Sequence, residues 1–264
     1  MASEVKGADL TALPQEMERH TYAIMYEVEG SHWWFAGRRR ILESFVKEIV
    51  ANLNLQGRTP PRILDVGCGT GANLEMLAQF GDTQGVDVSE SALAFCRARG
   101  LHNVRLGAAE HLPYADSSFD LACALDVVEH LDDDLSGLSE MRRVLRPDGR
   151  ALLFVPAFMW LWGVQDDVSN HRRRYTLPQL TERVRAAGFE VERATYANIT
   201  LFAPILAGRL LMRATGARPA SENNINVPAL NGVLGQLFGA ERFWLRHLNF
   251  PFGVSAVCVA RRVE

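Results

Sequence analysis

Ile63-Leu64-Asp65-Val66-Gly67-Cys68-Gly69-Thr70-Gly71 decides how this chain is read. Arg62 to Val66 reads as a short buried strand, bounded upstream by Pro60-Pro61. The glycines allow a tight turn and let the backbone approach a ligand where a Cβ would clash. Ala72 to Phe80 then reads as a helix whose N-terminus faces that ligand. A pyrophosphate-binding turn would read GxGxxG. Here the spacing is GxGxG, and Asp65 stands two residues before the first glycine. That acid repels a phosphate and suits an ammonium group.

The following segments keep the same order of strand and helix. Gln84 to Val88 is a second strand, and its acid, Asp87, is placed to accept hydrogen bonds from ribose hydroxyls. Ser89 caps a helix over Glu90 to Arg99, closed by Gly100. Leu101 to Leu106 and Ser118 to Ala124 are the third and fourth strands, and Ala151 to Val155 the fifth, after a turn at 144–150. Phe189 to Ala197 is a sixth strand, preceded by a helix from Leu177 to Ala187 that Thr176 caps. Phe252 to Ala260 is the last.

In Asp65-Val66-Gly67-Cys68-Gly69-Thr70-Gly71 and the segments after it, from about Arg62 to Asn198, the chain resembles the class I, Rossmann-like S-adenosylmethionine-dependent methyltransferases, of the UbiG and Methyltransferase-11 type. The resemblance implies an α/β fold. Its sheet has seven mostly parallel strands, the last antiparallel, with helices on both faces. It implies S-adenosyl-L-methionine as cofactor and S-adenosyl-L-homocysteine as product. Asp65, Gly67, Cys68, Gly69, Gly71, Asp87 and Val88 would then hold the cofactor. Ala109 and Glu110 would border its adenine, and Cys123 and Ala124 would line its methionine portion. Ala108 stands where the family often has an acid.

Two additions flank this pattern. Residues 1–57 form an N-terminal helical lid, with helices at Leu13 to Glu29 and Ile41 to Leu53 around the aromatic run His32-Trp33-Trp34-Phe35. That run either covers the cofactor or packs the helices on the sheet; related methyltransferases favour the cover. Residues 58–264 form the cofactor-binding domain, with a helical insertion at about 199–250. Ile199 to Met212 in that insertion is very apolar and too short to span a bilayer, so it packs on its own domain, forms a homodimer interface or lies on a membrane surface.

Acceptor chemistry is expected just after strands four and five, outside the strand ends. Asp126, His130 and His171 are the catalytic candidates there. Tyr22, Tyr26, His32, Trp33, Trp34, Trp160 and Tyr175 are the acceptor-binding candidates. Asp126-Val127-Val128-Glu129-His130 also resembles the metal-binding ExxEH element of small-RNA 3′-end methyltransferases and the EH pair of ubiquinone-pathway O-methyltransferases. With His171, residues Asp126, Glu129 and His130 are chemically able to hold a divalent metal. The preferred reading has no metal, because Glu-His is common here in methyltransferases without one. The basic runs Arg38-Arg39-Arg40 and Arg172-Arg173-Arg174 are solvated faces or border an anionic acceptor.

The composition sets the class. The chain has 264 residues, 28 Lys and Arg against 31 Asp and Glu, and a net charge of −3, which argues against nucleic acid as the partner. Cys68, Cys96, Cys123 and Cys258 are widely separated and form no CxxC pair, so a reduced cytoplasmic protein is expected. The N-terminus has no apolar signal region, and no run is long enough to span a membrane. The expectation is methylation of a small organic acceptor, anionic or lipid-like, with oxygen preferred over nitrogen. The alternatives are a metal-assisted RNA methyltransferase and a non-catalytic cofactor-binding regulator.

Overall fold

The computed structural model describes residues 19–217 and 228–263. Two helices, α1 (Arg19–Val28) and α2 (Trp33–Ala51), precede the sheet. Then follow β1 (Arg62–Val66), α3 (Ala72–Leu77), β2 (Asp82–Asp87), α4 (Glu90–Ala98), β3 (Val104–Leu106) and β4 (Phe119–Leu125). The chain continues through α5 (Asp134–Val144), β5 (Leu145–Pro156), α6 (Val164–Val168), α7 (Leu177–Ala186) and β6 (Phe189–Ala197). It ends with α8 (Phe202–Thr215), α9 (Pro228–Leu245) and β7 (Ser255–Arg262).

The strand order is β3-β2-β1-β4-β5-β7-β6, with β1 to β5 parallel and β7 antiparallel to both β5 and β6. This is the expected fold class. The order reverses direction between β1 and β4, which opens a crevice at the carboxyl ends of those strands. Helices cover both faces. On one face Leu138 and Met141 of α5 and Leu180 and Val184 of α7 pack with Leu64, Ala122 and Leu153 of the sheet. On the other, Ile41, Leu42, Phe45 and Val46 of α2 and Met76 and Leu77 of α3 pack with Ile63, Leu121 and Leu152. Such continuous burial on both sides explains why β4 has no polar face beyond Asp120.

The structure moves several boundaries. α2 starts at Trp33, so the aromatic run lies inside a helix rather than before one. His32 caps it, its Nδ1 accepting the Trp34 amide at 3.3 Å. Trp34 stacks on Phe238 of α9 at 5.4 Å between ring centres, a tertiary contact that holds the aromatic run helical. β5 starts at Leu145, not Ala151, because Leu145 pairs with Phe119 before an irregularity in the ladder. β3 starts at Val104 rather than Leu101, and α3 ends at Leu77 rather than Phe80. The beginning of the first expected helix, at 13–18, lies outside the described residues. Among the described residues no helix is long and apolar enough to cross a membrane.

Candidate functional site

The turn between β1 and α3 is tied to β2. The amides of Gly67 and Cys68 both donate to the Val86 carbonyl, at 2.7 and 3.0 Å. Gly67 has φ +66°, and a Cβ there would meet Val127 Cγ2 at 2.5 Å. Gly69 has φ +53°, yet nothing lies within 4 Å of where its Cβ would be, so its outer face is open. Its amide donates to the Asp87 carboxylate at 2.8 Å, and the Ser89 amide donates to the other oxygen at 2.9 Å. The end of β2 is thereby fixed against the glycine turn.

Asp65 lies beneath this turn. It is 1% exposed, and neither carboxylate oxygen has a hydrogen-bond partner among the described residues. Burial pushes its pKa up to about 7; the Arg38 guanidinium opposes that rise and Asp87 adds to it. A buried carboxyl with no partner places uncompensated negative charge next to the glycine turn.

The N-terminal helices form the roof. The Thr70 hydroxyl and the Arg99 guanidinium both donate to Glu29 at 2.5 Å. Tyr26 stacks on Phe95 of α4 at 4.7 Å, with Arg99 over its ring. Arg38 of α2 reaches Asp126 at 2.8 Å and donates to Asn73 at 3.2 Å. Arg39 lines the cavity and has no ion pair among the described residues; burial lowers its pKa.

Together these elements enclose a cavity of about 580 Å³. Gly67 to Thr70, Asp87 and Val88 form its floor, Ala109 and Glu110 one side, and Tyr22, His32, Trp33 and Trp34 its roof. Ile205 and Met212 of α8 with Leu230 and Leu234 of α9 complete it.

Asp126, His130 and His171 face the same cavity. Asp126 has φ +61°, and a short helical turn over Val128–His130 follows. The Arg172 amide donates to the Glu129 carbonyl at 2.8 Å, which brings the segment after α6 against that turn. The rings of His130 and His171 then lie 4.7 Å apart, nearly perpendicular. Burial, with His171 adding to it, pulls His130 down to about 3. His171 Nδ1 is 2.8 Å from Asp166. Burial alone would raise Asp166, but hydrogen bonds from His171 and the Arg174 fork, at 2.7 and 2.8 Å, hold its carboxyl below the usual range. Glu129 is fully buried, and neither of its carboxylate oxygens has a partner among the described residues. Burial first, then Asp126, pushes its pKa well up. One donor atom each from Glu129, His130 and His171 lies within 4.8 Å of the others.

Seven of the residues expected at the site do not line the cavity. Asp65 is under its floor. Gly71 serves packing, since a Cβ there would meet Leu101 at 2.9 Å and Cys96 at 3.0 Å. Cys123 and Ala124 lie inside the sheet, because β4 runs one residue further than expected and Leu125, Asp126 and Val127 reach the cavity instead. Tyr26 is held by Phe95 and Arg99. Trp160 is half exposed outside, and the Tyr175 hydroxyl is buried, donating to Asp134 at 2.8 Å. The basic runs are largely consumed internally: Arg172 pairs with Asp132, Arg173 with Asp134, and Arg40 donates to the Gly235 carbonyl. Sequence reading missed Asp166 as the partner of His171 and the cavity wall from α8 and α9. An acid five residues before a histidine was the available signal for the first.

Residues 64–153 match the family model described as a methyltransferase domain. A Mycolicibacterium smegmatis protein named "Probable S-adenosylmethionine-dependent methyltransferase" is 36% identical over 134 residues, 49% of this chain and 52% of its own length. O-methyltransferase rstn1 of Aspergillus nomiae is 38% identical over 98 residues, 34% of this chain and 44% of its own. This chain thus spans about half the length of the curated relatives it matches. Among solved structures, it superposes on a chain of the complex that contains the Haloferax volcanii Trm112 methyltransferase activator. The TM-score is 0.61 at 18% identity, over 95% of this chain and 100% of that one. Residues 64–153, from β1 to β5, are therefore similar to methyltransferase domains, and the fold is Rossmann-like.

Proposed function

We propose that this chain is an S-adenosylmethionine-dependent methyltransferase that methylates an oxygen of a small acceptor. One observation carries the reading: the open glycine turn, the braced Asp87 and the His130–His171 pair face one cavity of about 580 Å³. S-adenosylmethionine, when bound, supplies a methyl group on a sulfonium, which leaves as a neutral thioether. Asp87 accepts the ribose hydroxyls, Val88 and the Gly67 to Gly69 backbone border the ribose, and Ala109 and Glu110 border the adenine. Asp65 supplies negative charge beneath the amino end, and Arg39 supplies a cation for the carboxylate.

His171 takes the acceptor proton. Asp166 engages its Nδ1, which leaves Nε2 as the atom presented to an acceptor. Trp33 and Trp34 exclude water from above. The relative rstn1, itself named an O-methyltransferase, supports oxygen over nitrogen. A cavity extending past the cofactor side to His130, Ile205 and Leu230 supports a catalyst over a mere cofactor-binding regulator.

A second reading is favoured by one observation, the two partnerless oxygens of the buried Glu129. In it Glu129, His130 and His171 would hold a divalent cation, which would supply Lewis-acid chemistry to an acceptor oxygen, and Asp166 would orient His171. The chain's own tests separate the two. Calorimetric titration with S-adenosylhomocysteine tests the cofactor site, and absence of binding sinks both readings. Transfer of a labelled methyl group to a panel of hydroxyl acceptors follows, with chelator. Activity that survives EDTA, but falls by about 100-fold in His171→Ala, supports the base. Loss with EDTA, and a visible cobalt(II) spectrum that Glu129→Gln abolishes, supports the metal.

A further inference from the structure

α8 is built inside out. Apart from Arg209 and Arg213 its sequence, Phe202 to Thr215, carries no charge, yet its one buried residue is Arg209, which donates to the Leu161 carbonyl. Leu210 and Leu211 point outward, the latter 65% exposed. α9 shows a related pattern. Its inner side buries Phe238 and Leu245, while Val233, Leu237 and Trp244 recur at helical spacing on the outer side, with Val233 66% exposed. An ordinary surface helix exposes its charges and hides its leucines.

Among the described residues the exposed charges of this segment have one sign. Among the described residues from 199 to 253 the only acid is Glu241, which is buried and accepts the Asn198 and Thr200 amides at 2.7 and 2.8 Å. Arg246 and His247 are exposed just past the end of α9, beside the exposed Phe243, Trp244 and Leu248, whereas Arg242 lies across the helix from the outer stripe and Arg213 donates to the Trp160 and Trp162 carbonyls. Outward apolar residues with aromatic rings, an arginine and a histidine at one end suit the boundary of a bilayer with anionic headgroups.

We infer that the outer faces of α8 and α9 dock this protein on an anionic phospholipid bilayer. The same two helices supply Ile205, Met212, Leu230 and Leu234 to the cavity wall. Resting on the methyltransferase reading, this makes the acceptor an amphipathic molecule that passes from the bilayer into the cavity without crossing water.

The test is co-sedimentation of the full chain with phosphatidylcholine vesicles containing about a third phosphatidylglycerol. Binding is expected, weaker on phosphatidylcholine alone and in high salt. The double variant Leu211→Asp, Val233→Asp is expected to lower partition by about tenfold or more. Arg246→Glu with His247→Glu is expected to lower it by about tenfold on the anionic vesicles only. S-adenosylhomocysteine titration of each variant should be unchanged, which shows that it is folded. No vesicle binding by the wild-type chain overturns the inference, as does binding that ignores both double variants. A concentration-dependent dimer that Leu211→Asp dissolves, without vesicle binding, assigns the face to a second copy instead. Loss of cofactor binding in the wild type would sink the enzyme reading and leave the vesicle result standing.

Discussion

The segment from β1 to β5 and the helical additions, α1–α2 and α8–α9, build one cavity by different means. In the first, backbone geometry does the building: glycines at positive φ, and a carboxylate that receives two amides at the end of β2. In the second, side-chain packing does it. Gly37 of α2 leaves room for Phe238 of α9, where a Cβ would lie 2.5 Å from that ring. The Phe238 ring is fully buried against Trp34. Ligand affinity should therefore reside mainly in the first region, and closure and much of the stability in the second.

The largest expected effect tests that division from the helical side. Phe238→Ala should cost about 3–5 kcal/mol, since the ring fills the seam between α2, α9 and the sheet. A fall in melting temperature of about 10 °C would register it. S-adenosylhomocysteine affinity should change by no more than about threefold at temperatures where the variant is folded. A collapse of affinity would show that the roof, not the floor, carries cofactor binding.

From the other side, Asp87→Ala should weaken the same ligand by about 100-fold. It removes the acceptor for the Gly69 and Ser89 amides together with the proposed ribose contact. Calorimetry reads this directly, and the loss in melting temperature should be smaller than for Phe238→Ala. An unchanged affinity would move the ribose elsewhere in the cavity.

The same division explains what could be read from the chain. Pro60-Pro61 before β1 and the glycines after it made Arg62–Val66 legible to the residue, and Gly188 did the same for the start of β6. Asp87, Gly67 and Gly69 were legible because their spacing encodes a backbone shape that few other sequences need. The start of α2 was not. Two tryptophans and a glycine near a helix start argue weakly for helix, and only Phe238, some 200 residues later, decides it. Cys123 and Ala124 were misplaced because a one-residue extension of β4 shifts which side chains clear the sheet. Asp166 was hidden for another reason: its role depends on a five-residue helix whose fold is set by Arg174. Nothing local to either residue states that.

A smaller effect concerns Asp65 and pH. Its carboxyl titrates at about 7 in the folded chain against a usual value of 3.8. Between those values the folded state keeps a proton that the unfolded state has lost, so this group's contribution falls as pH rises, and the full cost remains above 7. Asp65→Asn should therefore raise the stability of the ligand-free protein at pH 8 by about 1–3 kcal/mol, and change it little at pH 4. Thermal melts at the two pH values check this. With S-adenosylhomocysteine the sign should reverse, since the ammonium loses its buried countercharge. A variant that is less stable at pH 8 without ligand would mean that Arg38, not burial, governs Asp65.

The smallest effect is the sharpest test of how α9 divides its two faces. Val233 is a β-branched apolar residue on the outer stripe, and nothing among the described residues covers it. Val233→Ser should move stability by no more than about 0.5 kcal/mol, because little apolar area leaves water when this chain folds alone. Helix propensity is nearly the same for the two residues, so the backbone does not mask the result. Phe238, little more than one turn further on, should cost about 3–5 kcal/mol when cut to alanine. Such a contrast within one helix would show that its inner face is selected by folding and its outer face by something else. A loss near 2 kcal/mol at Val233 would instead mean that the outer stripe is already covered within the chain. The surface proposed for a bilayer would then be part of the fold.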